Sequence, residues 1–326
     1  MKVITETMAE TVKRSMYYGK GDVFVYRSFA SPLEGVTTIP ESDFCGRRNV
    51  IFGMNVQVAL KGDAFLTSFT EGDNSLVVAT DSMKNFVLYQ AGKYDGATME
   101  GFLRFVADKF LERYDHISGV EISGSQFLFA NARIGGADGV VDSGKVFREG
   151  TREMPYAYVE TARNRDGNAE IVRRQSGVTD LHLIKIKGSS FYGYIHDEYT
   201  TLPESFDRPL YIYLSIYWRY DDDHAPDQSA AEYVAAEQVQ GIAETIFHEL
   251  DSPSIQYLIY EIGKRVLRRF PQLSEVSFES NNKTWETVLE ETVSGGDSKV
   301  FTDPRPPYGF QGFTVFREDL ADEGSE

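Results

Sequence analysis

Lys-Phe-Leu-Glu-Arg-Tyr-Asp-His-Ile-Ser-Gly-Val-Glu-Ile, residues 109–122, can be laid without a gap on Arg-Val-Leu-Arg-Arg-Phe-Pro-Gln-Leu-Ser-Glu-Val-Ser-Phe, residues 265–278. Leu111, Arg113, Ser118 and Val120 meet identical residues in Leu267, Arg269, Ser274 and Val276, while Tyr114, Ile117 and Ile122 meet Phe270, Leu273 and Phe278. Two amphipathic helices can resemble each other by chance, but this match runs past the helix into a following strand. A helix leading into a strand has been duplicated.

The order of elements around the two copies agrees. Strand signals, β-branched and aromatic, fall at 22–26, 50–60 and 75–79 in the first half. Met99, Phe102, Leu103, Val106, Phe110 and Leu111 then recur every three or four residues, one apolar stripe on a helix over 98–114. In the second half, strands at 181–186 and 210–220 precede helices over 230–249 and 254–270 and a closing strand at 275–278. This order predicts an α+β fold: two tandem domains, each an antiparallel sheet with helices on one face. Such sheets have open edges, and subunits joining edge to edge into a barrel would cover them, so an oligomer is expected. The polar, Gly-rich stretch over 135–150 is the expected boundary, giving domains 1–145 and 146–326.

Composition narrows the function. At 326 residues either half can bury a core, and 50 acidic against 33 basic residues give a net charge of -17. That charge disfavours nucleic acid or an anionic membrane as partner, so any anionic ligand has to be met locally. Cys45 is the single cysteine, which excludes an intramolecular disulfide framework and a Cys-based zinc cluster. No apolar run approaches the length of a membrane span, and a cytoplasmic location is expected. His116, His182, His196, His224 and His248 show no ligand spacing, and Asp221-Asp222-Asp223-His224 reads as a solvated loop, so no metal is expected. Phosphate-cradling glycine motifs and a Gly-x-Ser-x-Gly elbow are absent.

Five stretches remain. Tyr17-Tyr18-Gly19-Lys20-Gly21-Asp22 sets a lysine between glycines before a strand. Val77-Val78-Ala79-Thr80-Asp81-Ser82-Met83-Lys84-Asn85 ends an apolar run on three small polar residues that can cap a helix. Ser190-Phe191-Tyr192-Gly193-Tyr194 precedes Asp197-Glu198-Tyr199-Thr200-Thr201-Leu202 and then Asp207-Arg208. Ser254-Ile255-Gln256 opens another helix, and Asn281-Asn282-Lys283-Thr284 follows the last strand. Singly, each has an ordinary structural reading as cap, core or turn.

Together, in this order and at compatible spacing from about Tyr17 to Phe316, they resemble the urate oxidases, and Arg305-Pro306-Pro307-Tyr308-Gly309-Phe310-Gln311 is similar to the bacillus-type enzymes. The resemblance implies oxidation of urate by molecular oxygen to 5-hydroxyisourate and hydrogen peroxide, with no metal or organic cofactor. It implies two tandem tunnelling-fold domains per chain and a homotetramer with active sites at subunit interfaces. It further implies that Phe191 stacks on the purine, that Arg208 reaches two acceptors with its planar fork, and that Gln256, beside Ile255, pairs with the opposite edge. The facing chain would supply Thr80 and Asp81, with Lys20 behind them. Two helix starts would then turn their N–H groups toward one anion. Lys20 hydrogen-bonded to Thr80 would relay protons, and Asn282 would hold oxygen, and later water, above the ring. On this reading Asp81 and Ser82 keep a capping role, while the Thr80 hydroxyl joins Lys20 to the substrate.

The chain departs from many relatives at Thr284, where they carry histidine in the relay, so Thr284 with a water, or Lys283, would have to pass the proton. His196 stands where many have arginine and reads as structural. Two other readings stay open: a catalytically silent purine-binding or scaffold protein, and another enzyme of the same fold acting on a pterin.

Overall fold

The computed structural model describes residues 15–150, 153–283, 285–304 and 306–324. Ten strands and four helices carry the architecture. The first half contains β1 (Tyr17–Ser28), β2 (Ile51–Lys61), α1 (Thr80–Ala91), α2 (Met99–Arg113), β3 (Gly119–Phe127), the hairpin β4 (Phe129–Gly136) and β5 (Gly139–Glu149), and β6 (Met154–Arg163). The second contains β7 (Ala169–Lys185), β8 (Leu210–Tyr220), α3 (Ala236–Glu249), α4 (Ile255–Arg269), β9 (Leu273–Lys283) and β10 (Gly309–Phe316). Eight strands form one antiparallel sheet in the order β1-β2-β3-β6-β7-β8-β9-β10, leaving β1 and β10 as its edges.

Alternation explains why the helices lie on one face. Along β2, Phe52, Met54, Val56, Val58 and Leu60 are buried, and along β8 so are Leu210, Ile212, Leu214, Ile216, Trp218 and Tyr220. The α1 and α2 stripes close the first row into a core with Met83, Val87, Phe102, Val106 and Phe110. Likewise α3 and α4 close the second with Val239, Ile242, Ile259, Ile262 and Val266. A fully buried Val, Leu, Ile or Phe side chain contributes about 1.5–3 kcal/mol, so each stripe far outweighs its helix propensity.

The duplication is exact in packing as well as in sequence order. Val120 and Val276, Leu111 and Leu267, and Ile117 and Leu273 are all buried. Arg163, ending β6, donates to the carbonyls of Leu111, Tyr114 and Ile117. Arg317, just after β10, donates to those of Leu267, Phe270 and Leu273, the aligned positions. Each arginine therefore ties down the last carbonyls of its helix, where positive charge is also favoured.

Three expectations need correction. Ala157 and Val159 of β6 belong to the first core and Val178 of β7 to the second, so the halves divide in the turn after Arg163 and not between 145 and 146. The Gly-rich stretch over 135–150 is no linker; it pairs with Phe129–Gly136 as a separate hairpin. Residues 75–79 are not a strand: the Val78 N–H goes to the Tyr18 hydroxyl at 2.8 Å and only Val78 is buried. The helix expected from 230 starts at Ala236, because the Gln238 side chain accepts from the Ala235 N–H and stops the turn there.

Candidate active site

The motif residues fall into two groups, one in each domain. In the first, β1 holds α1 from both ends: Tyr18 takes the Val78 N–H ahead of it, and Arg27 donates to the carbonyls of Ala91 and Tyr94 behind it. The start of α1 is thereby placed beside Lys20. The residue before the first helical turn is Ala79, which has no side-chain oxygen to offer. Neither Thr80 nor Asp81 nor Ser82 caps the helix, contrary to the expectation for Asp81 and Ser82, because all three already lie inside its first turn. The Asp81 carboxylate turns back along the helix to Lys84 at 2.5 Å and Asn85 at 3.2 Å. The Lys84 hydrogen bond first, then its charge and that of Lys20, hold Asp81 below the usual carboxylate range. Thr80 is exposed, and no hydrogen bond joins it to Lys20 within one chain.

A bulge in β1 between Lys20 and Val23 marks this end of the strand, with Asp22 in the left-handed region at φ 53° and held by Asn55 at 2.9 Å. Gly19 passes so close to β2 that a Cβ there would lie 1.9 Å from the Val58 carbonyl oxygen. Only glycine fits before Lys20.

In the second domain a loop is sewn to the start of α4. Ser189 bridges Ser252, Ser190 donates to the Ser252 carbonyl at 3.0 Å, and Arg208 donates its backbone N–H to Ser189 at 2.8 Å. Phe191 exchanges two backbone hydrogen bonds with Ser205. These ties bring Phe191 and Arg208 together: the guanidinium carbon lies 5.4 Å from the ring centroid. Tyr194 stacks on Phe191 at 4.8 Å and 14°, and His196 stacks on Tyr194 at 4.8 Å. Burial holds the Arg208 guanidinium below the ordinary arginine range, and no carboxylate among the described residues pairs with it. It is a cation without an anion.

Ser254 caps α4, its hydroxyl accepting from the Tyr257 N–H at 3.1 Å, so here the expected cap is present. Ile255 is buried and Gln256, one turn-step on, is exposed. Gly263 of α4 packs against Phe278 and Val315. From that contact, seven helical residues reach Gln256, about 10 Å, and four strand residues reach Asn282, about 13 Å. Gln256 and Asn282 therefore stand at the same end of the second domain. Asn282 lies on the helix-side face of β9, opposite Ile212.

Strand alternation sends Lys283 the other way, over the rings of Tyr213 at 4.6 Å and Tyr308 at 5.9 Å. It is in no position to replace a relay group beside Asn282, which corrects that expectation. Thr284 lies outside the described residues. Among the described residues no group of His, Cys, Asp and Glu could hold a metal ion.

One chain does not unite the two groups. Six strand spacings separate β1 from β9, about 29 Å along the sheet. Sequence reading missed the supports, namely Tyr18, Arg27, the serine pair Ser189 and Ser252, and Gln311, which donates to Asn282. Of these, Tyr18 and Gln311 lay inside quoted motifs.

A single sheet built from two repeated halves, each carrying helices on one face and a polar cluster at a helix start, defines a tandem tunnelling-fold protein. The chain belongs to the uricase family, whose model matches residues 16–160 and 174–311. It is 51% identical to the uricase of Haloferax volcanii over 311 residues, 94% of this chain and all of that one. It is 50% identical over 318 residues to the uric acid degradation bifunctional protein of Bacillus sp. (strain TB-90), covering 97% of this chain. The chain spans 63% of that relative's length and 65% of the corresponding Bacillus subtilis protein's. A uricase structure from Bacillus fastidious superposes with a TM-score of 0.92 at 54% identity, covering 96% of this chain and 97% of that one. No helix among the described residues is long and apolar enough to cross a membrane.

Proposed function

We propose that the protein oxidises urate with molecular oxygen and water to 5-hydroxyisourate and hydrogen peroxide, using no metal or organic cofactor, in the cytoplasm. The observation that carries this reading is the division of the motif residues. A cationic, aromatic cradle of Phe191, Arg208, Ile255, Gln256 and Asn282 sits near one sheet edge, and Lys20, Thr80 and Asp81 sit at the other. Neither half can do the chemistry alone. Joining the β1 edge of one copy to the β10 edge of another brings them together and covers Phe24, Tyr26, Phe310 and Phe313, all exposed in one chain. Repeating the contact closes a ring, and two rings stacked make a homotetramer.

In that site Phe191 supplies the face for the purine, while Arg208 and Gln256 fix its plane through the two edges. The uncapped N–H groups of Thr80 and Asp81 meet the anion from the facing chain, where the helix end carries a partial positive charge. Urate gives up two electrons and two protons to oxygen, and water adds to the ring. Lys20, through the Thr80 hydroxyl, takes and returns protons, with Thr284 and a water completing the relay. Asn282 donates to the oxygen species without titrating.

Purified protein mixed with urate, with ultraviolet absorbance and peroxide followed in air and under argon, tests the reading. Loss of urate with peroxide formation only in oxygen is expected. Binding without loss would make it a silent purine-binding protein, and turnover of a pterin instead would sink the assignment.

A further inference from the structure

We infer that Gln311 is a positioning residue for oxygen chemistry, fixing which way the Asn282 amide faces; this rests on the reading of Asn282 as the group that holds the oxygen species. Ser280, Asn282, Gly309 and Gln311 share the helix-side face where β9 pairs with β10, with Ser280 opposite Gln311 and Asn282 opposite Gly309. The buried Ser280 hydroxyl donates to Gln311 Oε1 at 2.9 Å. That leaves the Gln311 Nε2 to donate, and it does so to Asn282 Oδ1 at 3.2 Å. With its oxygen occupied, Asn282 presents its Nδ2, for which there is no partner among the described residues. An amide can be turned over at little cost unless its two ends meet different partners. Ser280, Gln311 and Asn282 thus form a chain of donors that ends on the ligand.

Gly309 belongs to the same device. A Cβ at this position would lie 2.5 Å from Asn282 Oδ1, so any side chain there would push the amide out of line with Gln311. The sequence run Gly309-Phe310-Gln311 thus has a local use: space at the first position, a donor at the third, and Phe310 turned to the other face by alternation.

Steady-state rates against oxygen and urate concentration, with anaerobic urate binding, separate this role from a structural one. Gln311→Leu keeps size and removes the donor; kcat/KM for oxygen falls about tenfold, the scale of one hydrogen bond, while urate affinity stays within about twofold. Gln311→Glu is isosteric but accepts from both Ser280 and the Asn282 Nδ2, so it inverts the amide. Its loss approaches the 10²–10³-fold typical of removing a donor from a developing oxyanion. Joining Gln311→Leu to Asn282→Ala adds nothing to Asn282→Ala alone, since both act through one group. Additive losses, or an unchanged oxygen dependence in both Gln311 variants, would overturn the inference. Neutron diffraction of the deuterated protein reads the amide without activity: deuterium on the Asn282 atom away from Gln311 in the unaltered chain, and toward residue 311 in Gln311→Glu. If the unaltered protein consumes no urate, the functional reading fails while this map still decides the positioning claim.

Discussion

Two helices of this protein carry motif residues at their starts, α1 in the first half and α4 in the second, yet their first turns are finished differently. At α4 the residue before the helix is Ser254, whose hydroxyl takes one of the orphan N–H groups. At α1 it is Ala79, which takes none. A helix start normally loses about 1 kcal/mol when a serine cap becomes alanine, so the α1 start is maintained at a cost that packing against β1 offsets. Tyr18 and Arg27 supply the positioning that a cap would otherwise give. On the proposed function the difference gives the two halves separate work: α4 would be a capped wall of the cradle, and α1 an open donor surface beside Lys20.

The largest effect should come from the open half. Lys20→Met removes the proton acceptor and should lower kcat by about 10²–10⁴-fold while anaerobic urate binding persists; turnover within tenfold of the unaltered protein would confine α1 to binding. Next in size, Arg208→Lys keeps the charge and loses the planar fork. One charge-assisted hydrogen bond is worth about 1.5–3 kcal/mol, so KM for urate should rise about 10- to 100-fold with kcat much less changed.

The cap comparison itself gives a smaller, cleaner test. Denaturation should show Ser254→Ala destabilised by about 1 kcal/mol and Thr80→Ala by far less, because only Ser254 caps. Ala79→Ser should instead add about 0.5–1 kcal/mol and weaken urate binding, since the new hydroxyl competes for the N–H groups. A stabilised Ala79→Ser variant with full urate affinity would show that these groups do not meet the ligand.

The smallest effect concerns how the halves are held. Glu41 reaches from the first half to Arg265 at 3.1 Å and Arg269 at 2.9 Å on α4. Burial pushes its carboxyl up, but the hydrogen bonds of Arg269 and Arg265 outweigh burial and hold it below its ordinary 4.5. Its stabilisation is therefore complete above about pH 4.5 and lost as pH falls through the lower folded value. Glu41→Gln should flatten the acid limb of Tm against pH and leave oxidation at neutral pH unchanged.

The repeat was legible because apolar side chains keep their spacing through both the helix and the strand that follows, and Val120 and Val276 occupy the same buried position. The boundary was not, since Gly135, Gly136 and Gly139 look like a linker yet turn a hairpin. Val77 and Val78 suggested a strand, but among the described residues no strand pairs with them. Of the candidate site, the residues inside long motifs could be nominated from sequence. Gln311 could not be tied to Asn282, because 29 residues separate them and only strand pairing puts them on one face. The arginines that close α2 and α4 escaped notice for the same reason: Arg163 and Arg317 lie outside the aligned segment.

The central claim is that each site is made from two chains. Mixing, denaturing and refolding equal amounts of Lys20→Met and Arg208→Ala, each inactive alone, tests it most directly. Sites that join the intact α1 half of one variant to the intact cradle of the other should restore about a quarter of full urate oxidation if copies assemble at random. Refolded mixed oligomers that stay inactive would contradict the account.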